Sequence, residues 1–299
     1  MKRPKKLVRD IVYLLTRMTG FVISLTPSWF HSLFSRFLGN FAYLFLAGSR
    51  KRVLFNLRIA LGKEKSRSEL SRIAKKQFAY IYMGFCETVK AMKLSPKKFA
   101  NLVKIEGEEY LKEALAKGKG AVVVSAHFGN FPLMLAGLAS AGYAVNTMIR
   151  EQSNPGIEKF FQEIRKKLKI NWIPKHPLSA SLKNSMKWLK KNGLFCILMD
   201  QHSGKGVNVD FFGHPVLAAI GAATFARRIG SAALPIFSLK NPDGTYRIII
   251  KEPIKLIKTE NVRKDIADNT AHFMKIIESF VRQYPEQWFG WLHRRFRQS

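Results

Sequence analysis

Cysteine is nearly absent from this chain of 299 residues: Cys86 and Cys196 lie far apart and form neither a disulfide framework nor a CxxC motif, which points to a reducing compartment. No GxxxxGK[ST] or GxGxxG run is present, so no nucleotide cofactor is implied. His176, His202 and His214 lack zinc-ligand spacing, and neither a metal nor any other cofactor is expected. Internal repeats and low-complexity linkers are missing too. Acidic residues are scarce, 20 against 51 Lys and Arg, and the formal charge is +31. Self-repulsion on that scale weakens a compact state unless something acidic lies close by. Nucleic acid, an anionic membrane surface and an acidic protein are the candidates. The cations are scattered, and no RNP-type aromatic motif, zinc-finger spacing or heptad repeat accompanies them, so a nucleic-acid partner rests on charge alone and is not expected.

What the chain does have is apolar bulk, 47% of residues with 23 Phe, enough for a large core. Its length suits one large domain or a domain with an appendage. The basic cluster 2–9 (KRPKKLVR) precedes an apolar run that reaches Phe30, about the 20 residues a membrane span requires. No small-residue cleavage site follows, so the segment is read as retained. Arg17 and Pro27 interrupt it, and a tilted anchor and an in-plane helix both fit. Either geometry sets residues 1–50 as a membrane-associated helical region, with basic residues toward the cytoplasm or on anionic headgroups, and 51–299 as the body. The alternative is a buried amphipathic helix, because Trp29, Phe30, Leu33, Phe34, Phe37 and Leu38 continue the apolar face.

In the body, Val53–Leu61 and Ser68–Lys93 read as amphipathic helices, followed by a helix over Glu108–Lys117 and a buried strand at Ala121–Ser125. Helices near Phe131–Ala141, Pro155–Lys169, Ser179–Lys191 and Ala219–Ile229 alternate with strands near Ala144–Met148, Asn171–Ile173, Leu194–Met199 and Ala233–Leu239. A glycine-rich loop follows Met199. The turn Asp243-Gly244 adds a hairpin strand at Tyr246–Lys251 as an antiparallel edge, and a helix over Val262–Gln283 precedes an aromatic, basic tail. This order predicts an α/β fold: a mixed, mainly parallel sheet flanked by helices.

Ser125-Ala126-His127-Phe128-Gly129-Asn130-Phe131-Pro132 lies where a buried strand hands over to a helix, the place where open α/β sheets collect ligands. Asn130 suits an N-cap and Pro132 a first turn, which leaves His127 in the loop as either a general base or an ordinary hydrogen-bonded histidine. Arg150 and Asp200-Gln201 also end strands. Arg150 suits a phosphate or an oxyanion, or is one surface cation among many, and Asp200 belongs to a site or to a turn. Trp288, Trp291, His293, Arg294 and Arg295 fit headgroup depth, anionic ligands or the packing of the terminal helix.

Taken in order, these segments resemble the lipid A biosynthesis acyltransferases, relatives of the glycerolipid acyltransferases. The resemblance covers nearly the whole chain. It is carried by Ile105-Glu106-Gly107, the run Gly118–Asn130, Arg150, Asp200-Gln201 with Gly206-Val207 and Phe211-Phe212-Gly213, Pro285-Glu286-Gln287-Trp288, and Trp291-Leu292-His293-Arg294-Arg295-Phe296. It implies a glycerolipid-acyltransferase-like fold with an N-terminal helical membrane anchor. The implied reaction moves a fatty acyl chain from acyl carrier protein to a hydroxyl of a membrane lipid acceptor, at the cytoplasmic face of the cell inner membrane. His127, Arg150 and Asp200 are the implied catalytic residues, and Asn130, Gln201, Arg294 and Arg295 the implied substrate-binding ones. An acidic carrier protein and the anionic inner-membrane surface would both answer the charge. An apolar slot is expected for the acyl chain.

One departure stands out. The family pattern is a His, four residues, then Asp or Glu, and here the carboxylate position holds Pro132. Either another carboxylate orients His127, with Asp200 first and Glu87 and Glu151 behind it, or the imidazole works alone, or the chain binds lipid or carrier protein without chemistry.

Overall fold

The computed structural model describes residues 6–201 and 206–296; residues 2–5 of the basic cluster, His202 and Gly204 lie outside them. The chain opens with helices α1 (Lys6–Leu25) and α2 (Ser28–Phe45), bent 120° apart at Thr26-Pro27. Proline lacks an amide proton and keeps its predecessor out of the helical region, so the apolar run breaks there. Among the described residues no single helix is long and apolar enough to cross a membrane; α1 and α2 reach that length only together. Both helices leave large apolar side chains exposed, among them Leu14, Leu15, Phe21, Val22, Trp29, Leu33, Phe37, Phe41 and Phe45. Their inner faces are tied down by His31, whose ring bonds Tyr82 Oη (3.0 Å) and the Ile23 carbonyl (3.2 Å).

Helix α3 (Ala47–Leu61) buries Val53, Leu57 and Leu61 and is continuous across the expected division at residue 50. Helix α4 (Arg67–Ala91) starts at a capping box in which Ser66 and Glu69 satisfy each other's backbone amides. The short α5 (Pro96–Leu102) leads into the sheet.

That sheet is built from β1 (Val103–Glu106), β2 (Ala121–Ser125), β3 (Val145–Ile149), β4 (Asn171–Pro174), β5 (Leu194–Leu198), β8 (Ala232–Lys240) and β9 (Tyr246–Ile250). Between these strands come α6 (Glu108–Ala116), α7 (Phe131–Ser140), α8 (Pro155–Lys167), α9 (Leu178–Lys190) and α10 (Gly221–Ile229), and α11 (Val262–Gln283) follows β9. The strand order is β1-β9-β8-β2-β5-β3-β4; β8, β2, β5, β3 and β4 run parallel, while β9 and β1 run against them. The hairpin strand β9 is therefore not the edge, because β1 lies outside it. This four-residue strand is half solvent-facing and gives a weak apolar signal.

Strand β2 is apolar except for Ser125, whose hydroxyl donates to the Ile236 carbonyl (2.6 Å), because both its faces are covered. Val122 and Val124 join a core with α3, α9, α10 and α11, and Ala121 and Val123 join one with α6, α7 and α8. The stretch read as a glycine-rich loop contains a second, two-stranded sheet, β6 (Val207–Phe211) with β7 (His214–Ala218). Phe212 and Gly213 turn the hairpin, both at positive φ (56° and 74°).

Candidate active site

Strands β2 and β5 are parallel neighbours with Ser125 opposite Leu198. Each chain then leaves the sheet side by side, and the residues two steps on, His127 and Asp200, meet. Asp200 Oδ1 lies 2.8 Å from His127 Nδ1, and Oδ2 accepts from the His127 backbone amide at 3.0 Å and from Trp288 Nε1 at 2.8 Å. Asp200 is 0% exposed. Burial alone would raise its pKa, but the charge of His127 and the hydrogen bonds from the His127 ring, the Trp288 indole and the His127 amide outweigh it and hold the carboxyl at about 2.

An ionised carboxylate only accepts, so Nδ1 carries the imidazole proton and Nε2 presents its lone pair. That lone pair faces Gln201, whose Nε2 lies 3.1 Å from His127 Nε2 and 3.1 Å from His293 Nε2, one amide proton for each ring. The His127 side chain is 22% exposed, so an incoming hydroxyl has access to it. Burial, followed by the charges of His127 and Arg52, holds the His293 pKa below its ordinary value against the pull of Asp200.

The tail after α11 braces this loop from below. Phe128 bridges Trp288, the Gly129 amide donates to the Gln287 carbonyl (2.8 Å), and the Phe289 amide donates to the His127 carbonyl (2.9 Å). Gln287 is itself fixed to β8 by a pair of bonds with the Lys240 backbone at 2.9 and 3.1 Å. Gly129 sits at φ 53°, and a Cβ there would lie 2.0 Å from the Ser238 carbonyl oxygen, so this approach to β8 requires glycine.

The other expected residues separate. Asn130 caps α7 as read, its Oδ1 accepting from Leu133 N (3.1 Å) and Thr88 Oγ1 (3.0 Å) and its Nδ2 donating to the Gly84 carbonyl (3.0 Å). At 2% exposure its amide ties α4 to α7 and offers nothing outward. Arg150 is exposed just past the carboxyl end of β3, the strand beyond β5, and makes no side-chain hydrogen bond or ion pair among the described residues. Pro132 sits in the first turn of α7. Of the reserve carboxylates, Glu87 is held by Lys240 Nζ (2.6 Å) and Tyr246 Oη, and Glu151 is exposed. Trp288 and Trp291 are fully buried in the core, which decides between packing and headgroup contact for these two.

Arg294 is exposed and Arg295 is 3% exposed; both line a cavity of about 920 Å³ with Lys51, Arg52, Asn56 and Leu217. Four cations share that cavity with apolar walls from Phe55, Val216, Leu217 and Phe296, so it is not the purely apolar slot expected for a fatty chain. Composition and spacing missed Trp288 as the donor that holds Asp200, and Lys51, Arg52 and Asn56 as cavity residues, because only the return of the tail brings them together.

Comparison with known proteins gives the family. The sequence model of the family described as "Bacterial lipid A biosynthesis acyltransferase" matches residues 2–298. The lipid A biosynthesis lauroyltransferase of Escherichia coli (strain K12) is 29% identical over 270 residues, 87% of this chain and 83% of that protein. The lipid A biosynthesis myristoyltransferase of the same organism is 25% identical over 277 residues, 90% of this chain and 82% of that protein. A phosphatidylinositol mannoside acyltransferase of Mycobacterium tuberculosis (strain CDC 1551 / Oshkosh) is 29% identical over 136 residues, 44% of this chain and 42% of that protein. With a buried aspartate orienting a partly open imidazole at the sheet mouth and a match from end to end, this chain belongs to the bacterial lipid A biosynthesis acyltransferase family.

Proposed function

We propose that the protein transfers a fatty acyl chain from an acyl carrier protein thioester to a hydroxyl of a lipid A precursor or a related glycolipid. The observation that carries this reading is the 2.8 Å contact between Asp200 and His127 Nδ1, with Nε2 on the accessible side. Nε2 takes the hydroxyl proton as the oxygen attacks the thioester carbonyl. The tetrahedral intermediate then expels the thiolate, the C–S bond breaks, and the imidazolium returns its proton to sulfur, leaving an ester and a free thiol. General-base assistance of this type is worth about 10²–10⁴-fold in rate. Asp200 keeps the ring in the tautomer that can act and stabilises the imidazolium. Gln201 holds Nε2 until the hydroxyl replaces its amide, and Arg150, exposed away from the imidazole, offers a cation to an acceptor phosphate.

The membrane reading rests on the exposed apolar sides of α1 and α2, which suit insertion in the plane of the cytoplasmic leaflet of the inner membrane, with the basic flank on anionic headgroups. The net charge of +31 suits an acidic carrier protein approaching that surface. Full-length protein is expected to co-sediment with vesicles containing anionic lipid, and protein left in the supernatant at low salt would remove the anchor. To test the reaction, purified protein is mixed with carrier-protein thioesters of several acyl lengths and a tetraacylated saccharolipid, and products are read by mass spectrometry. Acceptor heavier by one acyl group supports the proposal. Bound but unmodified acceptor with every donor would replace it with a passive lipid-binding role.

A further inference from the structure

Between the start of α3 and the last described residues, the cavity of about 920 Å³ is lined by Lys51, Arg52, Arg294 and Arg295, and among the described residues no carboxylate joins them. Arg295 is the informative member. It is 3% exposed, its Nη1 donates to the Leu217 carbonyl (3.2 Å), its guanidinium lies over the Phe211 ring (5.3 Å), and its Nε has no hydrogen-bond partner among the described residues. Elsewhere the chain gives its sheltered cations carboxylates: Arg165 meets Glu158, Arg227 meets Asp265 and Lys240 meets Glu87. Arg295 has only carbonyl, sulfur and aromatic neighbours among the described residues. The one carboxylate whose charge reaches Arg295, Asp200, is already committed to His127 and Trp288 and makes no ion pair with it, so the guanidinium is poorly compensated, and placing three more cations around the same cavity adds to the cost unless an anion enters.

The surrounding chain holds this arrangement in place. Asn56 Nδ2 donates to the Trp291 and His293 carbonyls, both at 2.8 Å, and Arg52 Nη1 donates to the Leu292 carbonyl (3.2 Å). These bonds fix residues 291–293 and so present Arg294 and Arg295 to the cavity. His293, the next residue in the chain, shares the Gln201 amide with His127. The cavity is thus joined to the site through residue 293, which precedes Arg294 in the chain, although His127 and Gln201 do not line it.

We infer that this cavity is a phosphate subsite in which Lys51, Arg52, Arg294 and Arg295 bind a phosphate group of one substrate, an assignment that rests on the acyl-transfer reading above. Guanidinium groups match phosphate oxygens in pairs, and a volume of this size admits a phosphate with its sugar or its pantetheine arm. The phosphate comes either from a phosphorylated acceptor headgroup or from the phosphodiester of the donor's prosthetic arm.

The test uses the full-length His127→Ala protein in detergent, so that binding is read without turnover. Calorimetric titrations employ inorganic phosphate, 4′-phosphopantetheine, and a phosphorylated disaccharide lipid before and after phosphatase treatment. Binding that inorganic phosphate competes away, and that weakens about tenfold or more in the Lys51→Glu/Arg294→Glu variant, supports the subsite. Loss with the treated lipid assigns the phosphate to the acceptor; competition by 4′-phosphopantetheine assigns it to the donor. If the charge-reversed chain melts early, Lys51→Gln/Arg294→Gln serves instead, since both side chains are exposed. Equal affinity of parent and variant for every phosphorylated probe overturns the proposal. Transfer by the wild type that ignores acceptor and donor phosphates removes the subsite alone, whereas phosphate-dependent binding by a chain that transfers nothing removes the acyl-transfer reading alone.

Discussion

Replacing Asp200 by asparagine keeps the side chain's shape and alters its hydrogen-bonding character, which makes it a sensitive probe of the imidazole's tautomer. All three neighbours of the carboxylate are donors: the His127 amide at 3.0 Å, His127 Nδ1 at 2.8 Å and Trp288 Nε1 at 2.8 Å. The asparagine oxygen can serve the amide and the indole, which share Oδ2, and its NH₂ then faces Nδ1. Two donors cannot face each other, so the imidazole proton moves to Nε2 and the basic lone pair is lost from the accessible side. In hydrolase triads the same exchange lowers kcat about 10⁴-fold for this reason, and a loss of that order is expected here. Losing a charge-assisted bond in a fully buried setting lowers stability by about 1–3 kcal/mol. Product formation by mass spectrometry gives the rate, and denaturant unfolding followed by circular dichroism gives the stability. A folded Asp200→Asn protein that retained more than about a tenth of wild-type turnover would refute the orienting role, since loss of the correct tautomer costs orders of magnitude.

Three further outcomes follow from the same geometry. The Asp200 carboxyl is held at about 2, below its ordinary 3.8, so the folded chain binds fewer protons than the unfolded one. The stability this contributes, about 2 kcal/mol, is complete above about pH 5 and is lost as pH falls through 2 toward about 1; Asp200→Asn should flatten that part of an acid-unfolding curve, and an unchanged curve would contradict the ion pair. Pro132→Glu should not raise turnover, because Asp200 already occupies Nδ1, and a rise of about tenfold or more would show that the orienting carboxylate was missing. Gly129→Ala must open the 2.0 Å approach to the Ser238 carbonyl from a left-handed conformation, so a loss of about 2 kcal/mol or more in thermal or denaturant unfolding is expected together with loss of activity. A fully stable, active alanine variant would contradict the loop geometry.

Much of the site could be read from the residue order, because strands, caps and strand ends are local. The buried run Ala121–Ser125, the Asn130 cap and the helix over Val262–Gln283 follow from β-branched content, a capping side chain and helical spacing. The pairing of Ser125 with Leu198 did not follow, because strand order and register are long-range properties, and it is this register that brings His127 to Asp200 across 73 positions. The tail shows the same limit. Trp288 and Trp291 have a composition equally suited to a membrane surface and to a core, and only the antiparallel contact of Trp288 with Phe128 shows that they are buried and that Trp288 holds the carboxylate. Strand β6 escaped notice because the glycines around it signal a loop, although Val207, Val209 and Phe211 alternate as a strand should.

The central claim is that one imidazole, oriented by Asp200, activates the acceptor hydroxyl. The most direct measurement is the single-turnover rate of acyl transfer from a carrier-protein thioester by wild-type and His127→Ala protein, each shown to be folded and to bind acceptor with equal affinity. A fall of about 10²-fold or more in the alanine variant is predicted from the size of general-base assistance. Equal rates in the two proteins would contradict the account.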